Sequence, residues 1–354
     1  MSLITVIGSL NYDITTYVKV IPAANETKHA EDVQYNLGGK GFNQCIGLSK
    51  SREKKELEIR MIGSVGGKDN YGELFLKNLK ENNVITDNIL TFEQNATGLA
   101  NIIVESDKNY ANRIMVFPGA NAETKFNKEQ LSSLFENKSS EFIVLQNEIP
   151  EPLAIIDFLT LSEKKLNSKF IIYNPSPFNA VKYNDEKMWS KINVLIFNEI
   201  EIFQLAQTLN VFSETETAPK DNDKEFVEFF TNLTIPVAKA INYPIKKLNR
   251  LSGIIIITLG AHGYIYYNHY TSALIFKPAS QLIAKPIDST GCGDTFLGYL
   301  TTTLAESLDP DSDLDTTLLH ALKIANIAAG IAVTRTGASS SVPYRDEVRT
   351  LFNV

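Results

Sequence analysis

The sequence predicts an α/β fold, with a central, mostly parallel sheet flanked by helices and a small β-sheet lid. Three observations predict it. Short apolar runs rich in β-branched residues recur along the chain, as expected of parallel strands buried on both faces. Segments with helical patterning lie between these runs. Two further stretches alternate apolar and polar residues, which is typical of strands with one exposed face.

The apolar runs predict the strands of the main sheet. They are Leu3–Gly8, Ile59–Ile62, Phe142–Leu145, Phe170–Tyr173, Val194–Phe197 and Gly253–Leu259. Helices are predicted between them, for example over Gly72–Asn82 and Lys128–Phe135, and again over Thr316–Thr334. Strands that alternate with helices favour a parallel sheet.

The two alternating stretches predict the lid, with segments at about 14–37 and 97–118. The second is interpreted as a hairpin with a polar loop at Glu105–Asn112. A cover of this kind suits an enzyme that must exclude water. The segment 213–250 is polar at its start and contains the acidic run Asp221–Glu225. Because charge runs usually lie on solvated faces, we interpret it as a peripheral insertion with some helix.

Composition and charge exclude several classes of protein. A net charge of -7 gives no electrostatic footprint for nucleic acid and disfavours an anionic membrane. Two cysteines, Cys45 and Cys292, are too few for a secreted disulfide scaffold. The first residues lack a basic signal-peptide region, and no apolar stretch approaches the ~18 residues of a membrane span. We therefore expect a cytoplasmic protein, and nothing in the sequence excludes the nucleus.

The segment DSTGCGD at Asp288–Asp294 is the strongest candidate for chemistry. Its two glycines, just before a predicted helix, allow a tight turn whose backbone N–H groups favour an anion. Such a nest stabilises developing phosphoryl charge. Asp294, at the same point, can accept a proton from a substrate hydroxyl. The structural alternative makes Asp294 a helix N-cap and the glycines a turn.

A second glycine-rich segment, GGKGFNQ at 38–44, precedes a helix predicted over Asn43–Lys50. Glycines on both sides of Lys40 indicate close approach of the backbone to a ligand, and the Asn43 amide suits sugar hydroxyls. The alternative is a flexible turn with a solvated lysine.

Polar residues also follow predicted strands, where ligands of open α/β sheets bind. Asn11 and Asp13 follow the first strand, and Glu148 follows Phe142–Leu145. In isolation such residues are more often turn formers. Asn198 and Glu201 form an Asn-x-x-Glu pattern, in which a carboxylate near phosphates organises Mg²⁺, often through waters. The sequence contains no P-loop, no dinucleotide fingerprint after a strand, no zinc-ligand spacing and no G-x-S-x-G elbow.

Taken together and in this order, the motifs resemble the ribokinase branch of the PfkB family of carbohydrate kinases. The resemblance runs from GSLNYD at Gly8–Asp13 to SVP at Ser341–Pro343. GGKGFNQ and DSTGCGDTF are highly specific to the family, whereas 213–250 matches least and is similar to fungal members. The resemblance implies one kinase domain of ribokinase-like fold over 1–354 that forms a homodimer through its lid.

The resemblance also implies the roles of individual residues. The catalytic set is the base Asp294 with the anion hole Gly291, Cys292 and Gly293. The sugar-binding set is Asn11, Tyr12, Asp13, Gly39, Lys40, Gly41, Asn43, Glu148 and Asp294. The ATP-binding set is Asn198, Thr258, Leu259, Gly260, Ala261, His262, Gly263, Gly293 and Asn326. The potassium site is Asp288, Thr290, Ala332, Arg335, Gly337 and Ser341, while Glu201 is tied to Mg²⁺ through water.

The activity that the resemblance implies is ATP-dependent phosphorylation of D-ribose at its 5-hydroxyl, giving ribose 5-phosphate and ADP. Two alternatives stay open: a kinase for another sugar or a nucleoside, and a non-catalytic sugar-binding protein on the same fold. Three residues depart from the family pattern. Ser289 replaces a threonine, Cys292 an alanine and His262 an arginine. We expect the Cys292 thiol to make the enzyme sensitive to oxidation, and His262 to alter a nucleotide contact.

Overall fold

The computed structural model describes residues 3–108, 111–136, 141–161, 169–179, 189–212, 217–219, 223–241, 252–308 and 313–352. Its larger sheet contains β1 Leu3–Ile7, β4 Glu58–Gly66, β5 Ile85–Phe92, β8 Glu141–Leu145, β9 Lys169–Tyr173, β10 Val194–Asn198, β11 Ile254–Thr258, β12 Gly263–Asn268 and β13 Ala273–Pro278. Its smaller sheet contains β2 Asn11–Val18, β3 Asp32–Gly38, β6 Gly98–Glu105 and β7 Ala111–Phe117. The helices are α1 Lys40–Ser51, α2 Tyr71–Glu81, α3 Lys128–Leu134, α4 Pro152–Leu159, α5 Glu199–Thr208, α6 Asp223–Ala240, α7 Cys292–Ser307, α8 Leu314–Ala332 and α9 Arg345–Phe352.

The larger sheet has the strand order β13-β12-β11-β10-β9-β8-β1-β4-β5. Its strand pairs are parallel except for β11–β12 and β12–β13, which are antiparallel, so β12 alone runs against the other strands at this edge. Side chains alternate across it: Ile4 of β1 belongs to the core that includes residues of α1, α7 and α8 on one face, while Ile7 belongs to the core that includes residues of α5 and α6 on the other. Both faces are buried because helices cover both. The predicted α/β fold with a mostly parallel central sheet is confirmed.

The smaller sheet is the lid, with the order β3-β2-β6-β7. Strands β6 and β7 form the predicted antiparallel hairpin, although residues 109 and 110 of its loop lie outside the described residues. Strand β2 begins at Asn11, which pairs with Gly98, slightly earlier than the predicted lid segment. The lid therefore carries the sugar-binding candidates Asn11, Tyr12 and Asp13 on its own strand.

Helix α6 lies in the segment 213–250, which the sequence predicts to be a peripheral insertion with some helix, within the part of that segment that the structure describes. Its side chains Phe226, Phe230, Leu233 and Val237 are buried in the core beneath the sheet. The spacing of these residues matches one face of a helix. Through these side chains the helix shares the core on this face of the sheet.

None of the helices in the described part of the chain combines the length and the apolarity that a membrane crossing requires.

Candidate active site

The start of α7 is a backbone nest, as the sequence predicts. Gly291 adopts φ 75°, and a Cβ there would lie 2.7 Å from the Ala338 Cα, so glycine is required at this position. A Cβ added at Gly293 would meet nothing within 4 Å, which shows that this turn faces open space. The Cys292 N–H donates to the Ser289 carbonyl over 3.2 Å. The amides of Gly293 and Asp294 remain as the first-turn groups that an anion can use.

A cavity of about 400 Å³ lies in front of this nest, at the carboxyl ends of β10 and β11. The predicted residues that line it are Lys40, Asn198, Glu201, Thr258, Gly260, Gly263, Gly291, Cys292, Gly293, Asp294 and Asn326. The fold thus brings the predicted base, the anion hole and most of the ATP-binding set to one place.

Asp294 is 8% exposed and lies in the first turn of α7. Its Oδ1 accepts a hydrogen bond from Gln44 Nε2 at 2.9 Å, and its Oδ2 accepts a longer one from Asn43 Nδ2 at 3.4 Å. Burial raises the pKa of this carboxyl, and the Lys40 ammonium partly offsets the rise. A carboxyl with a raised pKa is suited to take up a proton during a reaction.

Lys40 and Glu148 are joined through the start of α1. The Glu148 carboxylate accepts from the Lys40 backbone N–H at 2.8 Å and from the Ser9 hydroxyl at 2.5 Å. Burial lowers the pKa of the Lys40 ammonium, but the charges of Asp294, Glu148 and Glu201 outweigh it, so the net pKa is raised. Lys40 therefore stays charged between three carboxylates.

The lid strand places its polar residues above this group. Burial first, and then the charge of Glu148, raise the pKa of Asp13 to about 7. The Asn11 side chain is held by Asn121, whose Nδ2 donates to Asn11 Oδ1 at 2.8 Å. Tyr12 stacks on Tyr71 of α2, with ring centroids 3.8 Å apart and an interplanar angle of 7°. These contacts tie the base of the lid to the main body beside the cavity.

The Asn-x-x-Glu pattern forms a capping box at the start of α5. Asn198 Oδ1 accepts from the Glu201 N–H at 2.8 Å, and Glu201 Oε2 accepts from the Asn198 N–H at 2.9 Å. These two hydrogen bonds give the Asn-x-x-Glu pattern a local structural role. They also hold the buried Glu201 carboxylate at the cavity wall.

The residues present fit a hydrated Mg²⁺ rather than a cage of protein ligands. Among the described residues, no cluster of three or more His, Cys, Asp or Glu side chains could hold a metal ion. Mg²⁺ usually keeps several waters and binds through one or two carboxylates and substrate phosphates. Glu201 meets that requirement as a single carboxylate at the cavity wall.

The predicted potassium-site segments lie against each other beside the nest. Asp288 joins them, because its carboxylate accepts from the N–H groups of Thr290 and Gly337, both at 2.9 Å. The Gly337 backbone has φ 88°, which turns this segment sharply. Nearby, Ser341 is buried and Arg335 pairs with Glu347 at 2.6 Å, while the Ala332 carbonyl accepts from the Arg335 N–H. One carboxylate therefore joins the two segments of the predicted site.

The structure gives the surroundings of two of the residues that depart from the family pattern. Burial, together with Asp288 and Asp294, raises the pKa of the Cys292 thiol to about 12. Because the thiolate is the reactive form, this argues against ready oxidation. His262 and Ala261 lie on the outer side of the Gly260–His262 turn, in a groove beside α6 rather than in the cavity. The His262 ring packs on Phe226 of α6 with centroids 4.9 Å apart.

The sequence reasoning missed several residues that shape the site. Gln44 and Gln146 are both fully buried behind Asp294, and Asn174 lines the cavity. Asn174 directly follows β9, so the rule that ligands bind beyond strand ends already pointed to it. Gln44 stands within the motif GGKGFNQ and Gln146 lies two residues before Glu148, but their partners are distant in the chain.

Comparison with known proteins finds similarity to carbohydrate kinases in both sequence and structure. The model for the pfkB family of carbohydrate kinases matches residues 1–345. The ribokinase of Lactococcus lactis is 32% identical over 99% of this chain and 96% of its own length. That of Schizosaccharomyces pombe is 30% identical over 99% of this chain and 98% of its own. Among solved structures, a ribokinase from Cryptococcus neoformans in complex with ADP superposes with a TM-score of 0.79 at 25% identity, covering 99% of this chain and 100% of that one.

Proposed function

The chain belongs to the pfkB family of carbohydrate kinases, and we propose that it transfers the γ-phosphoryl group of ATP to the 5-hydroxyl of D-ribose. The products are ribose 5-phosphate and ADP. The names of its relatives support the acceptor, and the ADP complex of a structural neighbour supports the nucleotide. The observation that carries the chemistry is the placement of one buried carboxylate, Asp294, beside an open backbone nest in the same helical turn.

Asp294 acts as the general base in this proposal. It takes the proton of the 5-hydroxyl as that oxygen attacks the γ-phosphorus, and the bond from phosphorus to the ADP oxygen breaks. The amides of Gly293 and Asp294 face the charge that builds on the transferring group. General-base catalysis contributes roughly 10²- to 10⁴-fold to such reactions.

The sugar lies between the nest and the lid. Asp13 and Glu148 offer carboxylate acceptors to its hydroxyls, and the Asn43 amide and the Lys40 ammonium offer donors. Asn11, Tyr12, Gly39 and Gly41 complete the wall beneath the lid. The stacking of Tyr12 on Tyr71 holds the lid strand against α2. In this proposal the lid covers the sugar and keeps its reacting oxygen from bulk water, which limits ATP hydrolysis.

The nucleotide occupies the part of the cavity between α5, the Gly260–Gly263 turn and α8. Asn198, Thr258 and Asn326 approach it there, with Leu259 buried beneath the turn. Glu201 would hold hydrated Mg²⁺, which supplies charge neutralisation at the phosphates when bound. The carbonyls and side chains of Asp288, Thr290, Ala332, Arg335, Gly337 and Ser341 would hold K⁺ next to the nest.

The lid supports a homodimer. Strand β7 exposes four consecutive apolar side chains, Ile114, Met115, Val116 and Phe117, each between 54% and 58% exposed. An edge strand of this kind is a pairing surface that monomeric proteins usually avoid.

A cytoplasmic location likewise stays a prediction, which cell fractionation tests.

A coupled ADP-release assay tests the activity, with Mg-ATP, a panel of sugars and nucleosides, and either potassium or a bulky organic cation. Turnover that is specific to ribose and raised by potassium supports the full proposal. Turnover on another acceptor would keep the phosphoryl transfer and replace the substrate. Sugar binding without turnover on any acceptor would instead favour a non-catalytic sugar-binding protein.

A further inference from the structure

A row of hydrogen-bonded amide side chains, of which Gln44 and Gln146 are buried, adjoins Asp294. Gln44 of α1 is fully buried, and its Nε2 donates to Asp294 Oδ1 at 2.9 Å and to Asn174 Oδ1 at 3.2 Å. Its Oε1 accepts from Gln146 Nε2 at 2.6 Å. The three amides come from different parts of the fold. Gln44 lies on α1, Gln146 directly follows β8, and Asn174 directly follows β9.

The direction of the donors is determined at both of the groups that Gln44 reaches. An ionised Asp294 can only accept hydrogen bonds. Asn174 Nδ2 is committed to the Ile196 carbonyl at 2.9 Å, so Asn174 presents its oxygen to Gln44. Asp294 and Asn174 therefore both require the amide NH2 group of Gln44 to face them, which directs the Gln44 Oε1 atom towards Gln146.

Gln146 shows that this direction has a cost. Its Oε1 is buried and finds no hydrogen-bond partner among the described residues. A buried acceptor without a partner is destabilising. In the arrangement observed, Gln44 delivers an N–H to Asp294 although Gln146 Oε1 has no partner among the described residues.

From this geometry we infer that Gln44 is a positioning residue, which occupies Oδ1 of Asp294 and leaves Oδ2 to receive the proton of the sugar hydroxyl. The inference rests on the proposed role of Asp294 as base. Within the described part of the chain, Oδ2 accepts only the 3.4 Å hydrogen bond from Asn43 Nδ2, which a substrate hydroxyl can displace. Gln146 and Asn174 hold the Gln44 amide in the required orientation.

The step that this arrangement serves is balanced. The proton moves from the 5-hydroxyl to Oδ2, the sugar oxygen forms its bond to phosphorus, and ADP leaves with the electrons of the broken bond. Oδ1 keeps its hydrogen bond from Gln44 throughout. The charged or titratable groups that face the carboxyl are Lys40, Glu148 and the Cys292 thiol, and Gln44 itself adds a neutral donor that favours the ionised form.

Gln44→Met tests the inference, because methionine fills similar space and removes the donors. We expect kcat/KM at neutral pH to fall about tenfold or more. The deficit should shrink as pH rises, because loss of the donor raises the pKa of Asp294 and the ionised base returns at higher pH. The carboxyl carbon of Asp294, observed by NMR in Asp-labelled protein without substrates, should titrate at higher pH than in the unsubstituted enzyme. Gln146→Met should move both readouts in the same direction by less, and it serves if Gln44→Met does not fold.

Thr302→Val is the matched control. Thr302 is buried on α7 and donates to the Leu48 carbonyl of α1 at 3.2 Å, so it joins the same two helices without touching Asp294. It should leave the pH profile unchanged. A loss in Gln44→Met that is independent of pH, or no loss at all, would overturn the inference. Substantial turnover in Asp294→Ala would instead refute the base assignment, so the two failures are distinguishable.

Discussion

Asp13 in the proposed sugar site lowers the stability of the folded protein when its carboxyl is ionised. We therefore expect Asp13→Asn to raise the free energy of unfolding. Its carboxyl is buried under the lid beside the Glu148 carboxylate, and these two causes raise its pKa from 3.8 to about 7. Between these values the folded protein keeps a proton that the unfolded chain has lost. Stability rises with pH only where the unfolded state binds more protons, so here it falls as the pH rises from about 4 to about 7.

The magnitude follows from the size of the rise in pKa. At about 1.4 kcal/mol per pH unit, the ionised Asp13 costs the folded state at most about 4 kcal/mol above pH 7. At pH 5 the cost is about 1.6 kcal/mol, because the folded carboxyl is still neutral. Asparagine has the same shape and no charge, so the variant avoids both costs.

Urea denaturation without substrates measures the effect, on both proteins at pH 5 and at pH 8. The advantage of the variant in unfolding free energy should grow by about 3 kcal/mol between these two values. Groups that titrate equally in both proteins cancel in this comparison. An advantage of the same size at both pH values would refute the reasoning. Isothermal titration should also show that the variant binds ribose far more weakly, since the carboxylate acceptor is lost.

Three other regions give predictions of their own. Cys292 should react slowly with iodoacetamide at pH 7.5, because burial raises its pKa to about 12; mass spectrometry of the labelled protein that found rapid, complete modification would contradict this. Met115→Glu in strand β7 should convert the proposed dimer to monomer in light scattering, whereas an unchanged mass would remove the lid from the interface. Glu141→Gln should lower the free energy of unfolding by about 3 kcal/mol, because the buried carboxylate pairs with Arg60 at 2.9 Å and Lys169 at 2.7 Å; a denaturant midpoint like that of the unsubstituted protein would show that the pair contributes little.

The strands of the main sheet were predictable because both of their faces are covered. Runs such as Val194–Phe197 are apolar throughout, and the structure places β10 there with only a one-residue extension. The antiparallel edge β12–β13 was not predicted. Its sequence YIYYN has no clean alternation, since the side chains of β12 are buried on both sides, and its pairing depends on contacts with β11.

The site also contains residues that the sequence predicted and residues that it did not. Asp294, Lys40 and Glu201 stand in motifs whose glycines or spacing indicate a ligand, and all three line the cavity. Gln44 lies inside one of these motifs, but its partner Asp294 is 250 residues away in the chain. No local pattern reveals a hydrogen bond over that separation, so its contact with the proposed base emerged only from the fold.

Asp294→Ala tests the central claim most directly, when ribose-dependent ADP release and ribose affinity are measured on the same preparation. The account predicts turnover lower by roughly 10²-fold or more, because the general base is gone. It predicts little change in ribose affinity by calorimetry, because the other sugar-binding residues remain. Turnover near that of the unsubstituted enzyme would contradict the role of Asp294, and with it the mechanism proposed for this cavity.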